Sequence, residues 1–223
     1  METDEGWRLN GTKHFVTMSP LATHIATNLR MRDGDGDHIV NVLFALDTPG
    51  IRPHGDWDAL GMRASGSQSV SFESCLVPLD GLRKIGPWGQ WSIPVLVNRT
   101  LANVPLVAAF LGIAEAAFEI GLDAQKTVGD ASSRPGVPNA LAEMEILLST
   151  SRSILAQLGQ QLDRFMETTN GGLETTYKQA HELMKDYQSA KWVVNRNAIE
   201  IVSQAMDLFG GGGFMARNPL TRL

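Results

Sequence analysis

Five histidines, His14, His24, His38, His54 and His181, are the first side chains to test for metal or catalytic spacing, and most are expected at the surface or at strand ends. They show no HExxH or comparable ligand spacing, so no metal site is expected, and the serines form no Gly-x-Ser-x-Gly elbow. The acidic run from Asp33 to Asp37 has the look of a calcium loop. Such a loop needs glycine sixth and glutamate twelfth, where this chain has His38 and Phe44, so a solvated hairpin turn is expected instead. The single cysteine, Cys75, lies in the apolar stretch SFESCLVP and is expected to be a buried, inert thiol. Gly210 to Gly213 are harder to place. Phosphate-binding glycine loops follow a strand and open a helix, whereas these four follow a helical pattern. A left-handed cap and close approach of backbone to a ligand or a neighbouring chain are both open.

The elements that must position these residues change period along the chain. The first 84 residues read as strands: WRLNGTKHFVT with Asn10-Gly11 as a hairpin turn, HIATNLRM and HIVNVLFAL joined by the acidic run, and SVSFESCLVP ended by Pro78. From about Pro94 the spacing becomes helical. A second segment places Leu141, Met144, Leu148, Ser151, Leu155, Leu158, Leu162 and Phe165 on one stripe. After the break at Asn170-Gly171-Gly172, a third carries Tyr177, Ala180, Met184, Tyr187, Val194, Ala198, Ile201, Ala205 and Leu208. Lys191 falls on that stripe and is expected to snorkel. The fold class expected is α+β: a small antiparallel β-barrel or sandwich over residues 1–84, then an up-down bundle of three long helices over 85–223. Three stripes leave one side to be covered, which points to an oligomer or to a further helix.

A net charge of −5 argues against nucleic acid as a partner. The acidic, polar METDEGWRLN does not resemble a signal peptide, and Pro105 and Glu115 interrupt the longest apolar stretch. A cytoplasmic protein with no membrane insertion is the expectation.

Taken together, GWRLNGTKHFVT, TPGI, WDALGMRASGSQSVSFESCLVP and the final MDLFGGGGFMARNPLTRL resemble the acyl-CoA dehydrogenase family, in order and over nearly the whole chain. The resemblance implies a middle β domain and a C-terminal helical bundle, with FAD between them and a neighbouring subunit. By the same resemblance, Phe15-Val16-Thr17 is the flavin-facing strand. Phe15 would pack on the ring system and Thr17 would hydrogen-bond near its reactive end. Arg63, Ser65 and Ser67 fall in the loop expected near the domain junction. Arg134 is the cation available where relatives have an Arg-x-x-Phe-Gly flavin contact. Asp207, Phe209, Gly210 and Gly211, with Gly213 and Phe214 continuing the turn, would touch the FAD of the neighbouring subunit. Asp207 stands where many relatives have glutamine, and its carboxylate would repel a pyrophosphate.

The implied chemistry is α,β-desaturation of an acyl-CoA thioester. A carboxylate removes the α proton, flavin takes the β hydride, and electrons pass to an electron-transfer partner. In most relatives that glutamate follows the segment equivalent to NPLTRL. In a minority it lies near Leu101 to Asn103, where this chain has no carboxylate. Glu115 and Glu119 lie farther along and are expected to be solvated, and Arg99 is about a turn early for the substrate-contacting arginine. No catalytic residue is assigned. The family's N-terminal helical domain has no counterpart in this sequence. Three readings follow: an acyl-CoA dehydrogenase-like flavoprotein, a non-catalytic scaffolding subunit completing a partner's flavin site, and a flavin monooxygenase of the same fold. The last uses reduced flavin and oxygen and needs no such glutamate. A homo-oligomer, or a hetero-oligomer with a related subunit, fits all three.

Overall fold

The computed structural model describes residues 2–3, 6–127 and 136–223. The chain folds as two units, Met1–Ser92 and Ile93–Leu223. The first holds two antiparallel sheets. One contains β1 (Glu2–Thr3), β2 (Gly6–Val16), β6 (Gln68–Val77) and β5 (Ile51–Pro53), in that spatial order. The other contains β3 (His24–Asp33), β4 (Gly36–Ala45) and β7 (Leu82–Pro87). Alternate residues of both sheets, Ile25, Val42, Phe44, Val70, Phe72, Cys75 and Val77, turn inward to a shared core. Phe44 and Phe72 meet there with ring centroids 5.6 Å apart.

The β3–β4 hairpin forms as its sequence predicts, with Asp33 paired to Gly36. The carboxylates of the acidic run are taken by cations of the sheet. Asp33 accepts from Lys84 and His38, and Asp37 from Arg30 and Arg32. Asn10-Gly11 does not turn the chain: β2 runs straight through it. The pair sits at a shift in register against β6, and the Asn10 side chain accepts from the Ser74 backbone N–H at 2.9 Å. A cross-strand acceptor and a bulge have replaced the local turn. Trp57 lies in the irregular segment that follows β5.

The second unit is three long helices, α1 (Ile93–Thr127), α2 (Gly136–Thr168) and α3 (Tyr177–Leu208). Their shared core includes Val107, Ala114, Ala117, Met144, Leu148, Leu158, Val194, Ile201 and Ala205. The predicted stripes of α2 and α3 lie inside, with Tyr177 exposed at the first turn. Lys191 is exposed too, because the buried position is its neighbour Ala190. Thr176 caps α3 through a reciprocal box with Gln179. Pro105 lies within α1 and does not end it. By length and composition Ile93–Lys126 is long and apolar enough to cross a membrane, contrary to the reading of its sequence. Its Leu96, Val97, Val107 and Leu111 are nonetheless packed in the bundle core. Glu115 is half-buried and ion-paired with Arg152 at 2.7 Å, so it is a tie between α1 and α2 where a solvated charge was expected.

Candidate functional site

Three segments of the sandwich meet at the end of β2. Register breaks between Lys13 and Val16, so that His14 and Phe15 form a bulge opposite β6. Phe15 takes φ +58°, a conformation that costs a non-glycine residue of order 1–3 kcal/mol and persists only where surroundings impose it. The bulge sends Val16 toward the core and leaves the Phe15 ring 75% exposed. The ring is braced at its edge by Trp57, with centroids 5.9 Å apart and planes at 81°. Trp57 is itself held by its indole N–H, which donates to the Arg63 carbonyl at 3.1 Å.

The turn after β2 is tied to the loop before β6. Met18 N–H donates to the Ser65 carbonyl at 2.9 Å. The Thr17 hydroxyl bonds that of Ser67 at 3.0 Å, and Ser67 bonds Ser65 at 2.8 Å. Arg63, at the start of a short 3₁₀ turn ending at Ser65, directs its guanidinium to the Ala59 carbonyl and to Asp58. Phe15, Val16, Thr17, Arg63, Ser65 and Ser67, singled out from the sequence, are thus brought together on one surface.

A pocket of about 360 Å³ opens there, lined by His14, Phe15, Asp56, Trp57, Asp58, Ala59, Ser67 and Ser69. His14 Nδ1 lies 2.9 Å from the Ser69 hydroxyl, and the Ser69 backbone N–H donates to Asp56 at 2.8 Å. The Ser69 backbone N–H first, and its hydroxyl second, hold the Asp56 carboxyl below its ordinary pKa. His14, Asp56 and Ser69 escaped sequence reasoning, since only the adjacency of His14 to Phe15 hinted at the group. A flat aromatic ring with hydroxyls beside it fits a planar heteroaromatic cofactor: Phe15 offers a face, and Thr17 and Ser67 offer hydrogen bonds.

The remaining candidates lie in the helical unit, except Arg134, which falls outside the described residues. Asp207 is exposed in the last turn of α3, and Phe209 follows it half-buried. Gly210 has φ +55°, the left-handed angle of a helix stop. A Cβ on Gly213 would come 2.7 Å from the Met206 carbonyl oxygen, so close packing of the turn on its own helix requires glycine there. Gly210, Gly211 and Gly212 face open space and are left for contact from outside. The buried Gln125 amide donates to the Leu208 carbonyl at 2.9 Å, anchoring the turn to α1. A helix C-terminus is the negative end of its dipole and Asp207 adds to it, while the carbonyls of Leu208, Phe209 and Gly212 already accept from Gln125, Gly212 and Asn218.

The sandwich and bundle define a class, and comparison with known proteins gives the family. Residues 1–75 match the acyl-CoA dehydrogenase middle domain and residues 100–223 its C-terminal domain. The chain belongs to the acyl-CoA dehydrogenase family. Amino sugar nitrososynthase DnmZ of Streptomyces peucetius is 32% identical over 99% of this chain and 54% of its own length. The short-chain specific acyl-CoA dehydrogenase of Mus musculus is 25% identical over 99% of this chain and 51% of its own. The structure of KijD3 in complex with FMN and dTDP-3-amino-2,3,6-trideoxy-4-keto-3-methyl-D-glucose superimposes with a TM-score of 0.89 at 30% identity, covering 98% of this chain and 53% of KijD3. The chain spans about half the length of the curated relatives it matches.

Proposed function

We propose that this protein is a flavin-dependent monooxygenase of the acyl-CoA dehydrogenase fold that oxidises the amine of a nucleotide-linked sugar. The observation that carries this reading is the composition of the pocket beside Phe15. Two aspartates and a histidine line it and neither lysine nor arginine does, which favours a cationic group such as an ammonium. The nitrososynthase DnmZ and KijD3, at 32% and 30% identity, point the same way. The dehydrogenase alternative rests on the wider family, in which the short-chain acyl-CoA dehydrogenase of Mus musculus is 25% identical to this chain.

Flavin, as FMN or FAD, would rest against Phe15 with Thr17 and Ser67 hydrogen-bonding it. When bound and reduced, it supplies two electrons to O₂, so that one oxygen atom enters the substrate and the other leaves as water. Phe15 and Trp57 would keep water from the reacting nitrogen, and Asp56 would attract its positive charge. Supplied with reduced flavin, O₂ and a dTDP-linked amino sugar, the protein should give a product heavier by one oxygen atom, labelled by ¹⁸O₂. With butyryl-CoA and an artificial electron acceptor it should stay inactive. Desaturation of the thioester without amine oxidation overturns the proposal.

A further inference from the structure

We infer that His14, backed by Ser69 and Asp56, is the group that removes the proton from the substrate's ammonium before oxygen is added. This rests on the amine-oxidising reading above. A protonated amine has no lone pair to attack with, so a monooxygenase working near neutral pH needs a base at the nitrogen. Of the side chains lining the pocket, His14 is the one suited to that task. The bulge that strains Phe15 also displaces His14 from regular pairing with β6 and sets it against Ser69.

The hydrogen-bond directions are consistent throughout. Asp56 is an ionised acceptor, Ser69 donates its backbone N–H to it, and Ser69 Oγ remains to accept from His14 Nδ1. With the proton of the neutral imidazole on Nδ1, the lone pair is on Nε2, the nitrogen left for the substrate.

Other charged groups surround the relay, and one of them, His54, acts on the Asp56 carboxylate through its charge. Lys13 turns to the Asn28 carbonyl on the other sheet, and Arg63 to Asp58 and the Ala59 carbonyl. His54, beyond β5, is bonded to the Ser71 hydroxyl one step along β6.

The balance is complete. R–NH₃⁺ gives its proton to His14 and becomes R–NH₂. R–NH₂, O₂ and a reduced flavin with two electrons and two protons then give R–NHOH, water and oxidised flavin. The imidazolium returns its proton to solvent.

The test compares His14→Gln, Ser69→Ala and wild-type protein with reduced flavin, O₂ and a dTDP-linked amino sugar. His14 is exposed, so its replacement should leave the fold intact. His14→Gln is expected to lose about a hundredfold or more in turnover near pH 7 and to recover as pH rises, because the amine then arrives already neutral. Ser69→Ala should lose less, and His14→Ala should regain activity with added imidazole. A readout independent of turnover is ¹⁵N NMR of the histidine rings as the amino sugar is added without flavin. The His14 Nε2 resonance should shift as the amino sugar hydrogen-bonds to it, while those of His24, His38, His54 and His181 stay. Wild-type amine oxidation with an unimpaired His14→Gln overturns this inference alone. Failure of the wild type to oxidise any amine, with desaturation of butyryl-CoA, overturns the reading beneath it as well.

Discussion

At the scale of single residues, the sandwich holds Phe15, Met18, Met62 and Ser74 at backbone angles costly for a residue other than glycine. Phe15 is at positive φ, largely exposed, and braced only at its edge by Trp57. Phe15→Gly removes the strain along with the ring. Thermal stability should hold or rise while flavin affinity falls about tenfold, the worth of one aromatic contact. A melt alongside a flavin titration checks both halves, and a parallel loss of stability would make Phe15 a packing residue. The glycines divide in the same way. Gly213→Ala should cost about 1–3 kcal/mol by urea unfolding, because its methyl group meets the Met206 carbonyl. Gly211→Ala has room for its methyl and should leave stability unchanged, so any effect it has on flavin binding reports contact from outside the turn.

At the scale of elements, buried stripes of helices could be read from sequence, and local turn chemistry could not. The spacing of Met144, Leu148, Leu158, Val194 and Ile201 at three and four residues places them in the core, where they lie. Leu148 is fully buried, and Leu148→Ala should destabilise the bundle by about 2–5 kcal/mol in denaturant titration. Asn10-Gly11 misled because a turn dipeptide is a local signal, while its real partner, Ser74, is sixty-four residues away. The same distance problem hid the relay, since His14 and Ser69 are fifty-five residues apart. Phe15, Thr17 and Ser67 were accessible through their motifs, but the strain at Phe15 was not, because nothing in its side chain announces a positive φ. Pro105 was expected to interrupt the apolar run and instead sits inside α1 on an exposed face. There it lacks the N–H that the Leu101 carbonyl would otherwise accept. Pro105→Ala restores that bond and should raise the stability of the helical unit by up to about 3 kcal/mol. Urea unfolding followed by circular dichroism checks the sign.

At the scale of the whole molecule, half-buried carboxylates tied to cations set the response to acid. Two guanidiniums, Arg32 and then Arg30, hold Asp37 far below the ordinary carboxylate range, and Lys84 lowers Asp33. Both pKa values are depressed by folding, so the stabilisation is present above the ordinary value of about 4 and is lost progressively as pH falls below it. Melting temperature should therefore drop steeply on the acid side of that value. Asp37→Asn should flatten the profile there and lower stability at neutral pH. An unchanged profile would show that these pairs persist in the unfolded chain.

The sole thiol of the sequence, on Cys75, offers a clock. It is buried between the two sheets, and burial pushes its thiol pKa up, so reagents reach it only when the sheets part. With no second cysteine in the sequence, the rate of alkylation times the opening of the sandwich alone. Set beside the loss of helical dichroism, which reports the bundle, that rate tells whether the two units come apart as one cooperative body or in succession.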